Sequence, residues 1–361
     1  MGRIVFSSGR TLGQTDGAFV IAEAGVNHNG DLGLARALVD AAAAAGADAV
    51  KFQTFKTRRL VTDRAPQARY QAERAAATSQ SAMLRRLELS PEAHADLRDY
   101  ARARGLVFFS SPFDEESVDL LVDLGVDVLK LGSGELTNAP LLRHVAATGL
   151  PLILSTGMAW LSEVLAAVEL LRAAGLTDLA VLQCTSRYPA PLEDAHVRAM
   201  GTLAAALGPD VLIGYSDHTP GAAAPAAAAA LGARILEKHL TLDNALPGPD
   251  HAASLDPSAF AAMVTLVRQV ETALGDREKR PRPGEDEMRQ VARRGLHLAR
   301  PVPAGTPLEA ADLIALRPAD GLPPSALESV VGLVAARDLA PGDALHLGDV
   351  VRPAPRPEPP R

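Results

Sequence analysis

Two histidines stand near the ends of short apolar runs, His218 in "VLIGYSDH" and His239 in "RILEKHLTL". Imidazole nitrogens are frequent ligands of divalent cations. If the two runs form neighbouring strands, both rings can reach one ion and leave positions open for water and substrate. Oxygen donors nearby would suit Mn²⁺ or Mg²⁺, and a two-histidine site without cysteine argues against structural zinc. Either histidine alone is also explained by a hydrogen bond in the core, so the metal prediction depends on the pair.

Three lysines occupy comparable places: Lys51 in "AVKFQTF", Lys130 in "VLKLGSG" and Lys238 in "RILEKHLTL". Lysines inside a protein cavity can form Schiff bases, or bind phosphate and carboxylate groups as point charges. Three of them favour a substrate with two or three negative charges over a single imine nucleophile. Hydroxyl donors follow other apolar runs, although each alone is also an ordinary turn residue: Ser133, Ser155, Thr156 and Ser186.

Carboxylates complete the set of candidate residues. Glu23 lies at the end of "FVIAEAG", directly before an Asn-His-Asn-Gly turn in which His28 is a weaker metal candidate than the histidine pair. Asp250 lies in "LPGPDHAAS", a loop in which a carboxylate can accept hydrogen bonds from sugar hydroxyls, although a lone loop aspartate is more often a turn former. Burying several charges together is costly unless they pair or bind ligands, so the accumulation of charges at strand ends indicates a functional site.

Such residues need a scaffold that brings many strand ends together. From Phe19 to about Leu274, short β-rich apolar runs alternate with longer segments of helical character, among them Leu32–Ala45, Ser162–Ala174 and Pro257–Leu274. The predicted strands are Phe19–Gly25, Ala49–Phe55, Val107–Phe113, Val128–Gly134, Leu152–Gly157, Ala180–Ser186, Val211–His218 and Arg234–Leu242. Eight strands with intervening helices predict an α/β fold, a (β/α)₈ TIM barrel, whose functional residues lie at the carboxyl ends of the strands. The sequence lacks the glycine-rich phosphate loop that would favour a doubly wound sheet instead.

Composition excludes several other classes. The net charge of −7 over 361 residues argues against a general nucleic-acid or anionic-membrane surface. No apolar stretch indicates a membrane span, and residues 1–10 show no signal peptide. The single cysteine, Cys184, rules out an internal disulfide and suits a reducing compartment. We therefore predict a cytoplasmic protein that binds neither nucleic acid nor membrane.

The chain changes character along its length. Residues 1–275 are predicted to form the barrel domain, with a long polar insert, roughly Lys56 to Ser90, as a helical flap over one mouth. Residues 276–290 are charged and Pro-containing, which indicates a linker. Residues 291–353 are short apolar pieces between Pro and Gly and predict a compact module, and residues 354–361 form a Pro-rich, disordered tail.

Six motifs follow one another along the chain in this order: "IAEAGVNHNG", "KLGSGELTNAPLL", "QCTSRYPAP", "GYSDHT", "EKHLTL" and "GPDHAASL". They resemble the sialic acid synthase family, the N-acetylneuraminate and N-acylneuraminate-9-phosphate synthases. The module with "RRGLHLARPVPAGTPL" and "LRPADGLPP" resembles the antifreeze-like (SAF, β-clip-type) domain that follows the barrel in that family. The resemblance covers about residues 17–352.

The resemblance implies condensation of phosphoenolpyruvate with an open-chain N-acetylmannosamine-type sugar, with release of phosphate. It implies that His218 and His239 bind the divalent metal, Mn²⁺ or Mg²⁺, and that Glu23 is the base that activates water. An ionised Glu23 is expected, because metal and lysines lie near it. The implied phosphoenolpyruvate ligands are Lys130, Ser133, Ser155, Ser186 and Tyr188 with Lys51 close by, and the implied sugar contacts are Gln53, Tyr188 and Asp250.

Arg317, in "LRPADG", matches the arginine that the SAF domain of this family places over the sugar in a partner subunit's barrel, so the resemblance implies a domain-swapped homodimer. From its sequence context alone, Arg317 is a surface residue before a Pro turn. The family's usual Arg-Pro-Gly-x-Gly is altered here at Ala319 and Asp320, and Ser186 stands where many members carry Asn.

Three alternatives stay open. "AGVNHNG" is more similar to the neuraminate and legionaminate branches than to the pseudaminate branch, so a legionaminate-type synthase acting on a diacetamido sugar is one alternative. A Schiff-base aldolase on the same barrel is the second. The third is a carbohydrate- or ice-binding protein without turnover, against which the retained glutamate, histidines and lysines argue.

Overall fold

The structure is a computed structural model that describes residues 2–6, 9, 11–68 and 79–354. The chain divides into two compact units, Met1–Gly275 and Asp276–Arg361. The strands of the first unit are β1 (Arg3–Val5), β2 (Thr11–Gly13), β3 (Phe19–Gly25), β4 (Ala49–Thr54), β5 (Val107–Pro112), β6 (Leu129–Leu131), β7 (Leu152–Ser155), β8 (Leu179–Cys184), β9 (Val211–Asp217) and β10 (Ile235–His239).

Strands β3 to β10 form one eight-stranded sheet in the order β5-β4-β3-β10-β9-β8-β7-β6. Every ladder in it is parallel. Strands β5 and β6, at the two ends of this order, also contact each other, so the sheet is nearly closed. The predicted α/β barrel is confirmed. The strands are near-continuous apolar runs because they are covered on both faces, and every residue of β3 is buried.

Helices fill the connections between the strands, and several begin at a side chain that accepts a hydrogen bond from the first turn. Asp31, Ser90, Asp114, Asn138 and Asp256 all serve as such caps. The helices of this unit are α1 (Leu32–Ala44), α2 (Thr57–Leu60), α3 (Gln80–Arg85), α4 (Pro91–Arg102), α5 (Glu115–Asp123), α6 (Ala139–Ala147), α7 (Leu161–Ala173), α8 (Ala199–Leu207), α9 (Ala223–Ala230) and α10 (Pro257–Leu274).

The antiparallel pair β1 and β2 precedes the barrel and was not predicted from the sequence. Its side chains Ile4, Phe6 and Leu12 are buried in the barrel core. The ring of Phe6 stacks on Phe19 at the start of β3, with 5.0 Å between ring centroids. Three-residue strands carry too few positions for an alternating pattern to be recognised.

The insert after β4 is described in part. Helix α3 contributes Met83, which packs with Leu87, Val26 and Phe55 in a small cluster beside the main core. The portion of the predicted helical flap at 69–78 lies outside the described residues.

In its described residues, 276–354, the second unit contains two antiparallel pairs, β11 (Gly295–Leu298) with β12 (Leu313–Leu316) and β13 (Val334–Ala335) with β14 (Val350–Val351). The same residues form two short helices, α11 (Asp286–Ala292) and α12 (Leu327–Val330). Its halves repeat one arrangement. Arg300 pairs with Asp312 and Arg337 pairs with Asp349, 12 residues further on in each case. Leu298, Val302, Leu339 and Leu345 are members of its separate apolar core.

Helix α11 takes up residues 286–290, the last five of the fifteen residues that were predicted to be a linker. It has no buried residue, which explains why the sequence shows no apolar periodicity there. The predicted disordered tail falls at 354–361, of which residues 355–361 lie outside the described part. In the described part of the chain, no helix has the length and apolar character needed to cross a membrane.

Candidate active site

A cavity of about 430 Å³ lies at the carboxyl ends of the barrel strands. Nearly every strand contributes a polar side chain to it. Among its lining residues are Glu23 (β3), Lys51 and Gln53 (β4), Ser111 (β5), Lys130 (β6), Ser155 (β7), Cys184 (β8), Ser216 (β9), and Glu237 and His239 (β10). Loop residues complete the wall: Ser133, Met158, Ser186, Tyr188 and His218.

Alternation along the strands decides which side chains face this cavity. Glu237 and His239, two residues apart on β10, both line it. Lys238 lies between them and faces the other way, where it pairs with the carboxylate of Asp217. Both side chains of this pair are about 1% exposed. The expectation that three lysines face the substrate is therefore wrong for Lys238; the structure brings Lys51 and Lys130 to the cavity.

Two carboxylates and two lysines form a buried network in the cavity wall. The Nζ atom of Lys51 lies 2.7 Å from Glu23 Oε2, 2.8 Å from Ser111 Oγ and 3.8 Å from Glu237 Oε2. The Nζ atom of Lys130 lies 3.6 Å from Glu237 Oε1. Lysine and glutamate charges therefore compensate one another before any substrate binds, which makes burial of all four groups tolerable.

Burial shifts the protonation of this network. It raises the pKa of Glu23 to about 7, although the Lys51 ammonium opposes the shift. Burial alone would also raise the pKa of Glu237, but Lys130 and Lys51 outweigh it, so the pKa of Glu237 falls below its usual range. The expectation that Glu23 is fully ionised at neutral pH takes no account of this burial, since a carboxyl group with that pKa exchanges its proton near pH 7.

A group of hydroxyls in the cavity that Lys130 lines has the character of an anion cradle. The Oγ atom of Ser155 is buried and has no hydrogen-bond partner among the described residues. Gly157 N–H donates to Ser133 Oγ at 2.9 Å. A Cβ atom at Gly157 would lie 2.2 Å from Ser186 Oγ, so only glycine lets these hydroxyls converge. Burial lowers the pKa of Lys130, and a bound anion would oppose that shift.

The histidine pair fits a divalent cation by its donor chemistry. The rings of His218 and His239 lie 5.2 Å apart between centroids. His218 Nδ1 donates to the carbonyl of Thr185 at 2.8 Å, which leaves Nε2 as a free donor for a metal. Burial lowers the pKa of His239 well below its usual range, which favours the neutral imidazole that a metal ligand needs, whereas Cys184 outweighs burial at His218 and raises its pKa.

The described residues contain no cluster of three or more His, Cys, Asp or Glu side chains arranged to hold a metal. An ion at the two imidazoles would therefore complete its shell with substrate and water. Asp250 is not among the residues that line the cavity, but it lies close to one histidine of the pair. Its Oδ2 atom lies 3.9 Å from His239 Nδ1, and burial raises its pKa to about 6.

Of the remaining predicted residues, the Tyr188 ring lies 4.0 Å from that of His218 between centroids. Gln53 donates from Nε2 to Glu23 Oε1 at 3.1 Å. Arg317 belongs to the second unit, where its side chain is exposed.

Ser216 and Glu237 are among the polar residues of the wall that received no role from the sequence. Ser216 Oγ donates to Glu237 Oε1 at 2.9 Å, and Glu237 in turn stands between the two cavity lysines. Both residues precede a predicted metal ligand by two positions on a strand. The strand period of two would have assigned them to the cavity, had it been counted back from His218 and His239.

Comparison with known proteins adds the family. The profile of the NeuB family matches residues 38–279, and that of the SAF domain matches residues 293–351. The chain belongs to the NeuB family. The resemblance stated from the motifs is confirmed, and so is the SAF domain after the barrel.

The alignments with known relatives span most of this chain and most of each relative. The N,N'-diacetyllegionaminic acid synthase of Legionella pneumophila is 47% identical over 332 residues, 91% of this chain and 93% of that protein. The human N-acetylneuraminate-9-phosphate synthase is 35% identical over 326 residues, 90% of each chain. The protein is thus an enzyme of the sialic-acid-synthase type, a nonulosonic acid synthase.

A solved relative supports the same assignment. The N-acetylneuraminic acid synthetase of Leptospira borgpetersenii, crystallised with citrate, matches with a TM-score of 0.71 and 33% identity. The match covers 79% of this chain and 94% of that protein.

Proposed function

We propose that this enzyme condenses phosphoenolpyruvate with an open-chain diacetamido sugar to give a legionaminic-type nonulosonic acid and inorganic phosphate. The observation that carries the proposal is the unpartnered, buried Ser155 hydroxyl, because it prepares a site for an anion in the same cavity as Lys130, Glu23 and the histidine pair.

The phosphoenolpyruvate end of the site follows from charge. Lys130 and the hydroxyls of Ser133, Ser155 and Ser186 would hold the phosphate and carboxylate groups. Lys51 stands between this group and Glu23, where its ammonium reaches both the Glu23 carboxylate and any anion nearby. Tyr188 contacts both histidine rings and would border phosphoenolpyruvate and sugar alike.

The chemistry requires one new carbon–carbon bond and one broken carbon–oxygen bond. C3 of phosphoenolpyruvate attacks the sugar aldehyde carbon, and the aldehyde oxygen takes up a proton. Water then adds to the cationic C2, and Glu23 Oε accepts the proton of that water. Phosphate leaves from the tetrahedral intermediate with the bridging oxygen, which regenerates a carbonyl at C2.

His218 and His239 would hold Mn²⁺ or Mg²⁺, and such an ion, when bound, acts as a Lewis acid that polarises a carbonyl oxygen. Gln53 and Asp250 would contact sugar hydroxyls at the same end of the cavity. The Gln53 amide also fixes Glu23, since it donates to the carboxylate oxygen that does not face Lys51.

The choice of sugar rests on the relatives. In addition to the Legionella protein, the N,N'-diacetyllegionaminic acid synthase of Campylobacter jejuni is 42% identical over 322 residues. N-acetylmannosamine, the sugar implied by the motif resemblance, is the second candidate. A panel that contains both sugars, each with phosphoenolpyruvate and Mn²⁺, tests the proposal by phosphate release and product mass. A larger kcat/KM for N-acetylmannosamine would reverse the choice, and no release with either sugar would refute the condensation.

The Schiff-base aldolase stays a second candidate because burial lowers the pKa of Lys130, which favours a nucleophilic amine. Borohydride added with pyruvate would then trap a covalent adduct and chelators would leave activity intact. We expect no adduct and loss of activity with chelator.

For assembly we propose a domain-swapped homodimer in which Arg317 serves the partner's barrel, and a cytoplasmic location. Arg317 is exposed on its own unit, as a residue that reaches another subunit must be. Mixing refolded Glu23→Gln and Arg317→Ala chains tests the swap. Heterodimers regain one intact site if Arg317 acts across subunits, whereas no activity returns if each barrel uses its own arginine.

A further inference from the structure

The loops that follow the first and the last barrel strands are tied together by side chains. Asn29, in the loop after β3, has a positive φ of 52°. Its Oδ1 atom lies 3.3 Å from Nε2 of His251, in the loop after β10. An amide oxygen can only accept, so Nε2 of His251 carries the proton. The other ring nitrogen, Nδ1, lies 2.7 Å from the Thr241 hydroxyl oxygen, so the ring is held on both sides.

Gly248 makes room for this contact. Its φ is 148°, and a Cβ atom there would lie 2.7 Å from His251 Cδ2 and 2.8 Å from Asn29 Oδ1. Any side chain at Gly248 would therefore separate the two partners. The backbone of the last loop is thus shaped around the Asn29–His251 contact, which we call the loop latch.

A second tie runs parallel to the latch. Asn27 Nδ2 donates to the carbonyl of Leu240 at 2.8 Å and to Ser254 Oγ at 2.9 Å. Ser254 Oγ in turn donates to the carbonyl of Asp250 at 2.7 Å. The backbone of Asp250 is consequently fixed on one side by Ser254 and on the other by its neighbour His251.

Asp250 is the residue that these ties position. Its carboxylate is buried and is not itself among the groups that line the cavity; its Oδ2 atom lies 3.9 Å from Nδ1 of the wall residue His239, and it interacts electrostatically with His218 and Lys51. In the described part of the chain, neither Asn29 nor His251 lines the cavity. We propose that the loop latch is a positioning device for Asp250, so that Asn29 and His251 set the affinity for the acylamino sugar while leaving that for phosphoenolpyruvate unchanged. This inference rests on the proposed function, since Asp250 is the sugar contact there.

Steady-state kinetics of the full-length enzyme with Mn²⁺, phosphoenolpyruvate and the diacetamido sugar test the split. Asn29→Gly removes the acceptor but suits the positive φ, so backbone strain is not introduced. We expect it to raise the sugar KM about three- to tenfold, the effect of one lost hydrogen bond. The phosphoenolpyruvate KM should stay within about twofold of wild type.

Matched variants separate positioning from general damage. Asn29→Asp keeps an acceptor at the same place, so its sugar KM should equal that of the wild type. His251→Leu should raise the sugar KM as much as Asn29→Gly does, whereas His251→Gln should bring the sugar KM much of the way back to the wild-type value. The double variant Asn29→Gly/His251→Leu should have a sugar KM no higher than that of either single variant. Equal changes in both KM values, or no change in either, would overturn the inference.

Hydrogen–deuterium exchange of residues 243–254 provides a readout that does not need turnover. Loss of the latch in Asn29→Gly should speed exchange in this segment, and Asn29→Asp should slow it again. If the wild-type protein releases no phosphate from either sugar, the proposed function fails. The exchange result then decides the latch by itself, because unchanged exchange in Asn29→Gly means that Asn29 does not hold the loop.

Discussion

Replacing Lys238 with methionine removes one half of a buried ion pair and leaves Asp217 behind. The Asp217 carboxylate retains two other donors, the Thr219 N–H at 3.0 Å and the Thr219 hydroxyl at 3.1 Å. Both members of the pair are about 1% exposed, so water cannot replace the lost ammonium. Breaking a buried pair in this way costs about 3–5 kcal/mol in the free energy of unfolding. The corresponding fall in melting temperature is roughly 5–15 °C.

The matched control is Lys130→Met, the same substitution on a lysine that faces the cavity. Its partner Glu237 keeps a second lysine, Lys51, and the Ser216 hydroxyl. Lys130→Met should therefore lose less stability than Lys238→Met, yet raise the KM for phosphoenolpyruvate at least tenfold. Lys238→Met, assayed below its melting temperature, should keep a near-normal KM.

Thermal melting followed by circular dichroism, with phosphate-release kinetics on the same samples, compares the two variants. Adding Asp217→Asn to Lys238→Met should recover part of the lost stability, because the uncompensated charge is removed. If Lys238→Met melts within about 2 °C of wild type and instead loses phosphoenolpyruvate binding, Lys238 faces the cavity and the assignment of strand faces is wrong.

Three further outcomes are expected. Because Glu23 has a pKa of about 7 and must be ionised to act as a base, kcat/KM should fall as pH drops below about 7; a profile flat from pH 5.5 to 8 would exclude Glu23 as that base. Gly157→Ala places a Cβ atom 2.2 Å from Ser186 Oγ and should raise the phosphoenolpyruvate KM about tenfold or more, measured against a sugar KM that changes little. Burial holds the pKa of His28 at about 4, so, as the pH falls, the unfolded chain takes up a proton at this residue before the folded chain does. The contribution of His28 to the free energy of unfolding is therefore fully present above pH 6.5 and declines by up to about 3 kcal/mol towards pH 4. His28→Asn keeps an acceptor for the Gly30 N–H, and urea melts at pH 5 and pH 7 should show a smaller difference for it than for wild type.

The barrel could be predicted from the sequence because its signal is repeated. Each strand is a short apolar run, so an error of one to three residues at an end, as at Val128–Gly134 against the observed Leu129–Leu131, does not change the count. The terminal strands β1 and β2 had no such support, since three residues cannot show a period. Helix α11 buries nothing, and sequence patterns detect helices through the face that they bury.

The residue types of the candidate site could be predicted from the sequence, but the directions of its side chains, their protonation and their long-range contacts could not. Lys238 and Glu237 are adjacent polar residues on one strand, and only the strand period separates the outward lysine from the inward glutamate. The protonation of Glu23 depends on how deeply the carboxylate is buried and on its distances to Lys51 and Glu237, which no motif contains. The Asn29–His251 contact joins loops that lie 222 positions apart in sequence.

The central claim is that phosphoenolpyruvate reacts in this cavity by cleavage of its carbon–oxygen bond. Phosphoenolpyruvate carrying ¹⁸O in the bridging position, incubated with Mn²⁺ and the diacetamido sugar, tests it in one measurement of the released phosphate by mass spectrometry. We predict that the label appears in phosphate, in amounts that match the new nine-carbon acid, and that Glu23→Gln abolishes both. Label that stays with the three-carbon fragment, or phosphate released without the sugar, would contradict the account.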